Sequence, residues 1–312
     1  MNLLSYNIRG GMSSKRKRVS YLIKSNNIDV CFIQETKLSG FNDYLAGAFW
    51  GSSDVEWTAC NSVGAAGGMV ILWRKGALTV NFSFVGKGFV GINILWKDKG
   101  YNLVNVYALC SVLERRLVWT SLLHKKQLIG QEEWCIVGDF NEVLRADERI
   151  GEGGSKHARG MEDFWGFVED MDLVDVNCVG GNFTWFKDNG KAMSRLDSFL
   201  LSRNIVEEWE VIDQRIERRD ISDHSPIRLN VGKIDWGPKN FRFNNAWFKH
   251  EGFMEFIKDE WGKLSFMGRG DYVLYAKLKA LKEKLQVWNR EVFVWIDLKM
   301  EEGWRLLMSW IG

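Results

Sequence analysis

Short apolar runs of strand length recur along the first 231 residues, and most of them end on or beside a polar residue able to do chemistry. Asn7 closes the first run, and Glu35 follows Val30-Cys31-Phe32-Ile33-Gln34. Tyr107 closes Leu103-Val104-Asn105-Val106, and Asp139 and Asn141 follow Trp134-Cys135-Ile136-Val137. Asp197 sits at the head of Leu196-Asp197-Ser198-Phe199-Leu200-Leu201, and Asp223-His224 lies just before Ile227-Arg228-Leu229. Runs of four to eight apolar residues bounded by Gly, Asn or Asp read as strands.

Helical spacing appears between some of these runs, over Arg16 to Lys24, Glu114 to Leu128 and Met161 to Met171. Strands outnumber helices, and several follow one another directly. The pattern therefore favours a mixed-sheet α/β sandwich over a simple βαβ repeat. Gly64-Ala65-Ala66-Gly67-Gly68, Gly151-Glu152-Gly153-Gly154-Ser155 and Gly180-Gly181-Asn182 read as loops. The strand pattern stops near Gly232 to Lys239, where Pro238 interrupts it. Two parts are expected, residues 1–232 and a helical extension over 233–312. In the second, Leu274, Leu278, Leu281, Leu285, Trp288, Val292 and Trp295 form a stripe four and three apart.

Composition narrows the class. The net charge of +2 announces no global nucleic-acid-binding field, so any such binding must rest on a local patch. Lys15-Arg16-Lys17-Arg18 is one local candidate, as a nuclear-import signal, a phosphate contact or a solvated helix face. Five cysteines stand singly without CxxC spacing, which argues against a zinc site or a disulfide framework. No apolar run has the length of a membrane span, and the start of the chain does not read as a secretory leader. A nuclear or cytoplasmic location is the expectation.

If the strand ends converge on one rim, they gather carboxylates, amides and one His. Such a cluster suits a phosphodiester. Hard oxygen ligands hold Mg²⁺, a carboxylate orients water, and His, Tyr and Asn donate to phosphoryl oxygens.

The order of the motifs carries a resemblance. Ser-Tyr-Asn-Ile-Arg (5–9), Gln-Glu-Thr-Lys (34–37), Asn-Val-Tyr (105–107), Gly-Asp-Phe-Asn (138–141), Ser-Arg-Leu-Asp (194–197) and Ser-Asp-His-Ser-Pro (222–226) resemble the endonuclease/exonuclease/phosphatase, or DNase I-like, superfamily. Gly-Gly-Asn-Phe-Thr-Trp (180–185), the stretch from Cys135 to Leu144, and the segments Phe241 to Trp247 and Trp288 to Phe293 look most like endonuclease regions of plant LINE-type (non-LTR) retrotransposons.

The resemblance implies a four-layer α/β sandwich, two packed mixed sheets flanked by helices. It implies Glu35 as the main Mg²⁺ ligand (Mn²⁺ the alternative), with Asn7 close by and Asp223 sharing the ion. Asp139 would orient or deprotonate water, Asn141 would hold the phosphate, and Tyr107 would hydrogen-bond it. His224 would donate to a phosphate oxygen, oriented by Asp197. Arg9, Ser222 and Thr184 are implied on the substrate-facing surface. The expected partner is DNA, nicked to leave a 3′-hydroxyl and a 5′-phosphate. RNA, a phosphomonoester, or a purely binding role are the alternatives. Residues 233–312 would precede a reverse transcriptase. The Leu274–Trp295 stripe, read from its spacing alone, suits a helix packing on its own domain or, as the alternative, pairing with another helix in self-association.

Overall fold

A computed structural model describes residues 1–62, 67–130, 132–151, 158–232, 243 and 245–293. The chain divides into two compact units, Met1–Ile234 and Asp235–Gly312.

The first unit opens with β1 (Leu3–Asn7), α1 (Ser13–Ser25), β2 (Val30–Gln34), α2 (Asp43–Trp50), β3 (Val55–Cys60) and β4 (Met69–Arg74). A meander follows through β5 (Thr79–Gly86), β6 (Phe89–Trp96) and β7 (Lys99–Tyr107), then α3 (Val112–Ile129), β8 (Glu133–Asp139) and the short β9 (Arg149–Ile150). Next come α4 (Ala158–Asp170), β10 (Leu173–Asp175), β11 (Cys178–Val179), β12 (Trp185–Phe186) and β13 (Met193–Ser194). β14 (Asp197–Ser202), α5 (Arg203–Glu208), β15 (Val211–Ile216) and β16 (Ile227–Val231) complete it.

A seven-stranded sheet has the order β11-β15-β16-β1-β2-β4-β3, and a six-stranded sheet the order β10-β14-β8-β7-β6-β5. A three-stranded sheet, β12-β13-β9, stands apart. The core between the large sheets holds Leu3, Phe32, Ile71, Ile92, Leu103, Val137, Phe199 and Leu229. Outside the first sheet, Leu4, Tyr6 and Ile33 pack on Val19, Leu22 and Ile23 of α1 and on Phe49 and Trp50 of α2. Outside the second, Val104, Val106 and Ile136 pack on Val118, Trp119 and Leu122 of α3 and on Phe164 and Phe167 of α4. These are the four layers the resemblance implies: helices, sheet, sheet, helices.

Burial on both faces explains why β1 and β2, a parallel pair, are near-continuous apolar runs. The period of two then decides which residues point inward. Leu3, Leu103, Val137 and Phe199 belong to the inter-sheet core. By the same parity Asn7, Tyr107, Asp139 and Asp197 face inward at the ends of their strands.

The helices expected at Arg16 and Glu114 form with slightly wider bounds, and the one expected over Met161 to Met171 spans Ala158–Asp170. The helix Asp43–Trp50 was not legible. Its start is marked only by Asn42, whose side chain accepts from the Leu45 N–H, and its end by Gly51 at φ 86°. Among the described residues, no helix is long and apolar enough to cross a membrane.

In the second unit, α6 (Phe253–Lys263) and α7 (Gly270–Trp288) enclose a cluster of Trp247, Phe253, Leu281, Leu285 and Trp288. The heptad-like stripe is therefore split. Its lower half is buried within its own unit, whereas Leu274 and Leu278 are exposed and Trp295 lies outside the described residues.

Candidate active site

The strand register brings the polar ends together. Tyr107 pairs with Asp139 across β7 and β8, and Asp139 pairs with Asp197 across β8 and β14. These three form one row on the rim of the second sheet. On the facing sheet Asn7 pairs with Gln34, and Glu35 follows in the left-handed region at φ 50°. That turn is held by a bond from the Gly10 N–H to the Glu35 carbonyl (2.6 Å). Asp223 and His224 arrive on the loop before β16, which pairs with β1.

Asn7 joins the two sheets. Its Nδ2 donates to Glu35 Oε1 (3.1 Å) and to Asp139 Oδ2 (2.8 Å). His224 is buried, with Nδ1 2.8 Å from Asp197 Oδ2 and Nε2 3.7 Å from Asp139 Oδ2. The backbone N–H of Asn141 donates to Asp139 Oδ1 (2.9 Å), and its Nδ2 donates to the Ala108 carbonyl (2.7 Å). Every acceptor of Asp139 is thus aimed by a fixed donor.

Burial works against charge on His224, but Asp197 and then Asp139 outweigh it and hold the imidazolium up at about 9. Burial pushes the Asp139 carboxyl up to about 7, with Asp197 adding to the rise and His224 opposing it. Burial, reinforced by Glu35 and Asp139, raises the Tyr107 phenol well above its ordinary range, so it remains a neutral donor. The arrangement pairs a cationic donor with a hydrogen-bonded carboxylate, facing a second carboxylate across Asn7.

Asp139, Asp197 and His224 lie within 4.8 Å of one another. His224 Nδ1 is already spent on Asp197, so this trio orients a side chain rather than chelating an ion. Glu35 is the better fit for a divalent cation. Its carboxylate lines the cleft. The Asn7 amide beside it presents Nδ2 to Glu35, while its Oδ1 accepts from the Arg9 N–H (3.1 Å).

The cleft has a volume of about 600 Å³. It is lined by Glu35, Tyr107, Asp139, Asn141, Asp223 and His224, together with the cations Arg9, Lys37, Arg115, Arg149 and Lys187. Four of these cations were not singled out from the sequence. Arg115 and Arg149 share the fully buried Glu142, at 2.7 and 3.0 Å, a pairing between residues with no local motif.

Two implied roles change. Thr184 does not face substrate: it is fully buried, and its Oγ1 accepts from the N–H groups of Leu196 (2.9 Å) and Asp197 (3.0 Å). Ser222 spends its hydroxyl on the Asn7 carbonyl (2.8 Å), because the loop carrying it must be tied to β1. Asp223 is paired with Arg9 and accepts from Trp185 Nε1 (3.1 Å), while Glu35 accepts from Asn7 and lies 3.6 Å from Lys37 Nζ, so both carboxylates line the cleft with a cation beside them. Gly-Gly-Asn-Phe-Thr-Trp serves the same loop. Phe186 N–H donates to the Asp223 carbonyl (3.0 Å), and Ser225 N–H to the Thr184 carbonyl (2.7 Å).

A two-sheet sandwich with carboxylates, an amide, a phenol and an imidazolium on one rim defines a phosphate-ester hydrolase. The chain belongs to the endonuclease/exonuclease/phosphatase family, whose model matches residues 4–276. It is similar to a 149 kDa protein of transposon TX1 from Xenopus laevis, 24% identical over 261 residues, or 78% of this chain. Those residues span 19% of that relative's length. Among solved structures it resembles the AP endonuclease LMAP from Leishmania major, with TM-score 0.59 and 15% identity over 73% of this chain and 86% of that one. It also resembles the endonuclease domain of TRAS1, a telomere-specific non-LTR retrotransposon, with TM-score 0.56 and 16% identity over 74% and 97%. At these identities the structural likeness speaks to fold.

Proposed function

We propose that the chain is a divalent-metal-dependent endonuclease that nicks DNA, leaving a 3′-hydroxyl and a 5′-phosphate. The carrying observation is the Asn7 bridge between Glu35 and Asp139, with His224 beside it, in a cleft rimmed by cations. Glu35, assisted by Asn7, would hold Mg²⁺ or Mn²⁺. When bound, the ion supplies positive charge that offsets the phosphate and the leaving oxygen. Asp139 orients a water and takes one of its protons as the water oxygen bonds to phosphorus. The P–O3′ bond breaks, and the departing oxygen is protonated from solvent. His224, held cationic by Asp197, donates to a non-bridging oxygen as charge builds there. Tyr107 and Asn141 hold the phosphate, and Arg9 flanks it.

The similarity to TX1 and TRAS1 supports a retrotransposon origin. The motifs at 180–185 and 241–247 favour the plant LINE type, with residues 233–312 leading toward a reverse transcriptase. Action on chromosomal DNA would place the protein in the nucleus, and the exposed Leu274 and Leu278 would serve self-association.

Supercoiled plasmid with Mg²⁺ should be converted to open circles by the parent protein, and Glu35→Ala should abolish conversion. Absence of nicking across Mg²⁺ and Mn²⁺ titrations would overturn the reading. Equal nicking by Glu35→Ala would do the same.

A further inference from the structure

The basic run Lys15-Arg16-Lys17-Arg18 divides by direction once it is on α1. Lys17 is exposed and Arg16 half-buried. Lys15 and Arg18 are three apart and so share a helix face. The Lys15 ammonium donates to the carbonyls of Ile8 (2.6 Å) and Arg9 (3.0 Å). These carbonyls directly follow Asn7, on a backbone where Arg9 adopts φ 48°, a strained conformation for a residue with a Cβ. Arg18 forms an ion pair with Asp220.

Asp220 is more than a surface partner. Its Oδ1 accepts from the hydroxyl of the buried Tyr6 (3.1 Å) and from the Ile221 N–H (2.6 Å). Tyr6 precedes Asn7, and Asp220 begins the turn that carries Ser222, Asp223 and His224. Ile221 packs into the cluster beneath α1 and α2. Lys15 and Arg18 therefore hold, from one helix, the loop behind Asn7 and Arg9 and the loop behind Asp223 and His224.

We infer that α1 is a clamp: Lys15 and the Arg18–Asp220–Tyr6 chain are positioning residues that fix the two loops bearing the reactive side chains, rather than contacts to DNA phosphates. The inference rests on the nuclease reading for its kinetic readout, but its geometry stands without it. A clamp and a phosphate contact act on different quantities. Misplacing reacting groups lowers kcat, whereas a lost phosphate contact raises KM and lessens salt dependence.

The test compares Tyr6→Phe, Asp220→Ala, their double variant and Lys15→Met with the exposed control Lys17→Gln. Nicking kinetics are measured at several salt concentrations, and backbone hydrogen exchange is followed over residues 217–226. A clamp gives roughly a 10- to 100-fold loss of kcat with KM and salt slope unchanged. The double variant should be no worse than Asp220→Ala alone, since the two groups act through one bond. Exchange over 217–226 should quicken in both single variants of the pair, and Lys17→Gln should match the parent. Unchanged kcat, or a rise in KM with a shallower salt slope, would overturn the inference. If the parent itself does not nick, exchange decides alone: faster exchange in Asp220→Ala supports the clamp, and parental exchange refutes it.

Discussion

Thr184→Val isolates a single buried hydroxyl. Threonine and valine share size and β-branching, so packing and backbone preference are kept. The loss is the Oγ1 acceptor, which serves the N–H groups of Leu196 and Asp197 at 2.9 and 3.0 Å in a fully buried site. Each buried donor left without a partner costs about 1–3 kcal/mol. With two such donors the loss should be ~3 kcal/mol, large beside a typical total of roughly 5–15 kcal/mol but survivable. For a urea dependence of about 2 kcal/mol per molar, the midpoint should fall by about 1.5 M. The same change frees the backbone beneath Asp197, which orients His224 through a 2.8 Å contact. Nicking should therefore lose kcat by roughly 10-fold while KM holds. Thr184→Ser keeps the hydroxyl and should recover most of both. An unchanged midpoint in Thr184→Val, or equal damage in Thr184→Ser, would refute the assignment of Thr184 as the support of Asp197.

Two further outcomes follow from buried charge. His224 has its folded pKa raised from 6.5 to about 9, so its stabilisation is full below about 6.5 and is lost as pH rises through about 9. In EDTA, urea unfolding should show stability falling between pH 6 and 9.5 more steeply in the parent than in His224→Gln, where the Asp139 carboxyl alone contributes; an equal slope in both proteins would count against it. Glu142→Gln would leave Arg115 and Arg149 without their shared carboxylate, at a cost of about 3 kcal/mol in unfolding free energy, and a loss under 1 kcal/mol would argue that the pair is dispensable.

Much of the site was legible because strands translate position into direction. In Cys135-Ile136-Val137-Gly138-Asp139 the alternation alone puts Asp139 on the face that Val137 shares, and the same holds for Leu103 and Tyr107. The helix at Asp43–Trp50 was not legible, since its eight residues carry too few turns for a periodic signal. Thr184 was misplaced for a different reason. Its substrate-facing role came from the resemblance alone, and only the bond geometry to Leu196 and Asp197 shows that its hydroxyl turns inward.

Local chemistry along the chain determined by itself which residues could act and at which strand ends they stand: Asn7, Glu35, Tyr107, Asp139, Asp197 and His224, on a scaffold of buried strands. Tertiary structure alone decided which of them meet. Asn7 reaches Asp139 across 132 positions of sequence, and Tyr6 reaches Asp220 across 214. Such pairs depend on how two sheets stack and in what register, and no periodicity within a single strand or helix encodes that. For the same reason Asp223, set beside His224 in the sequence, is drawn away to Arg9, while its neighbour turns toward Asp197 and Asp139.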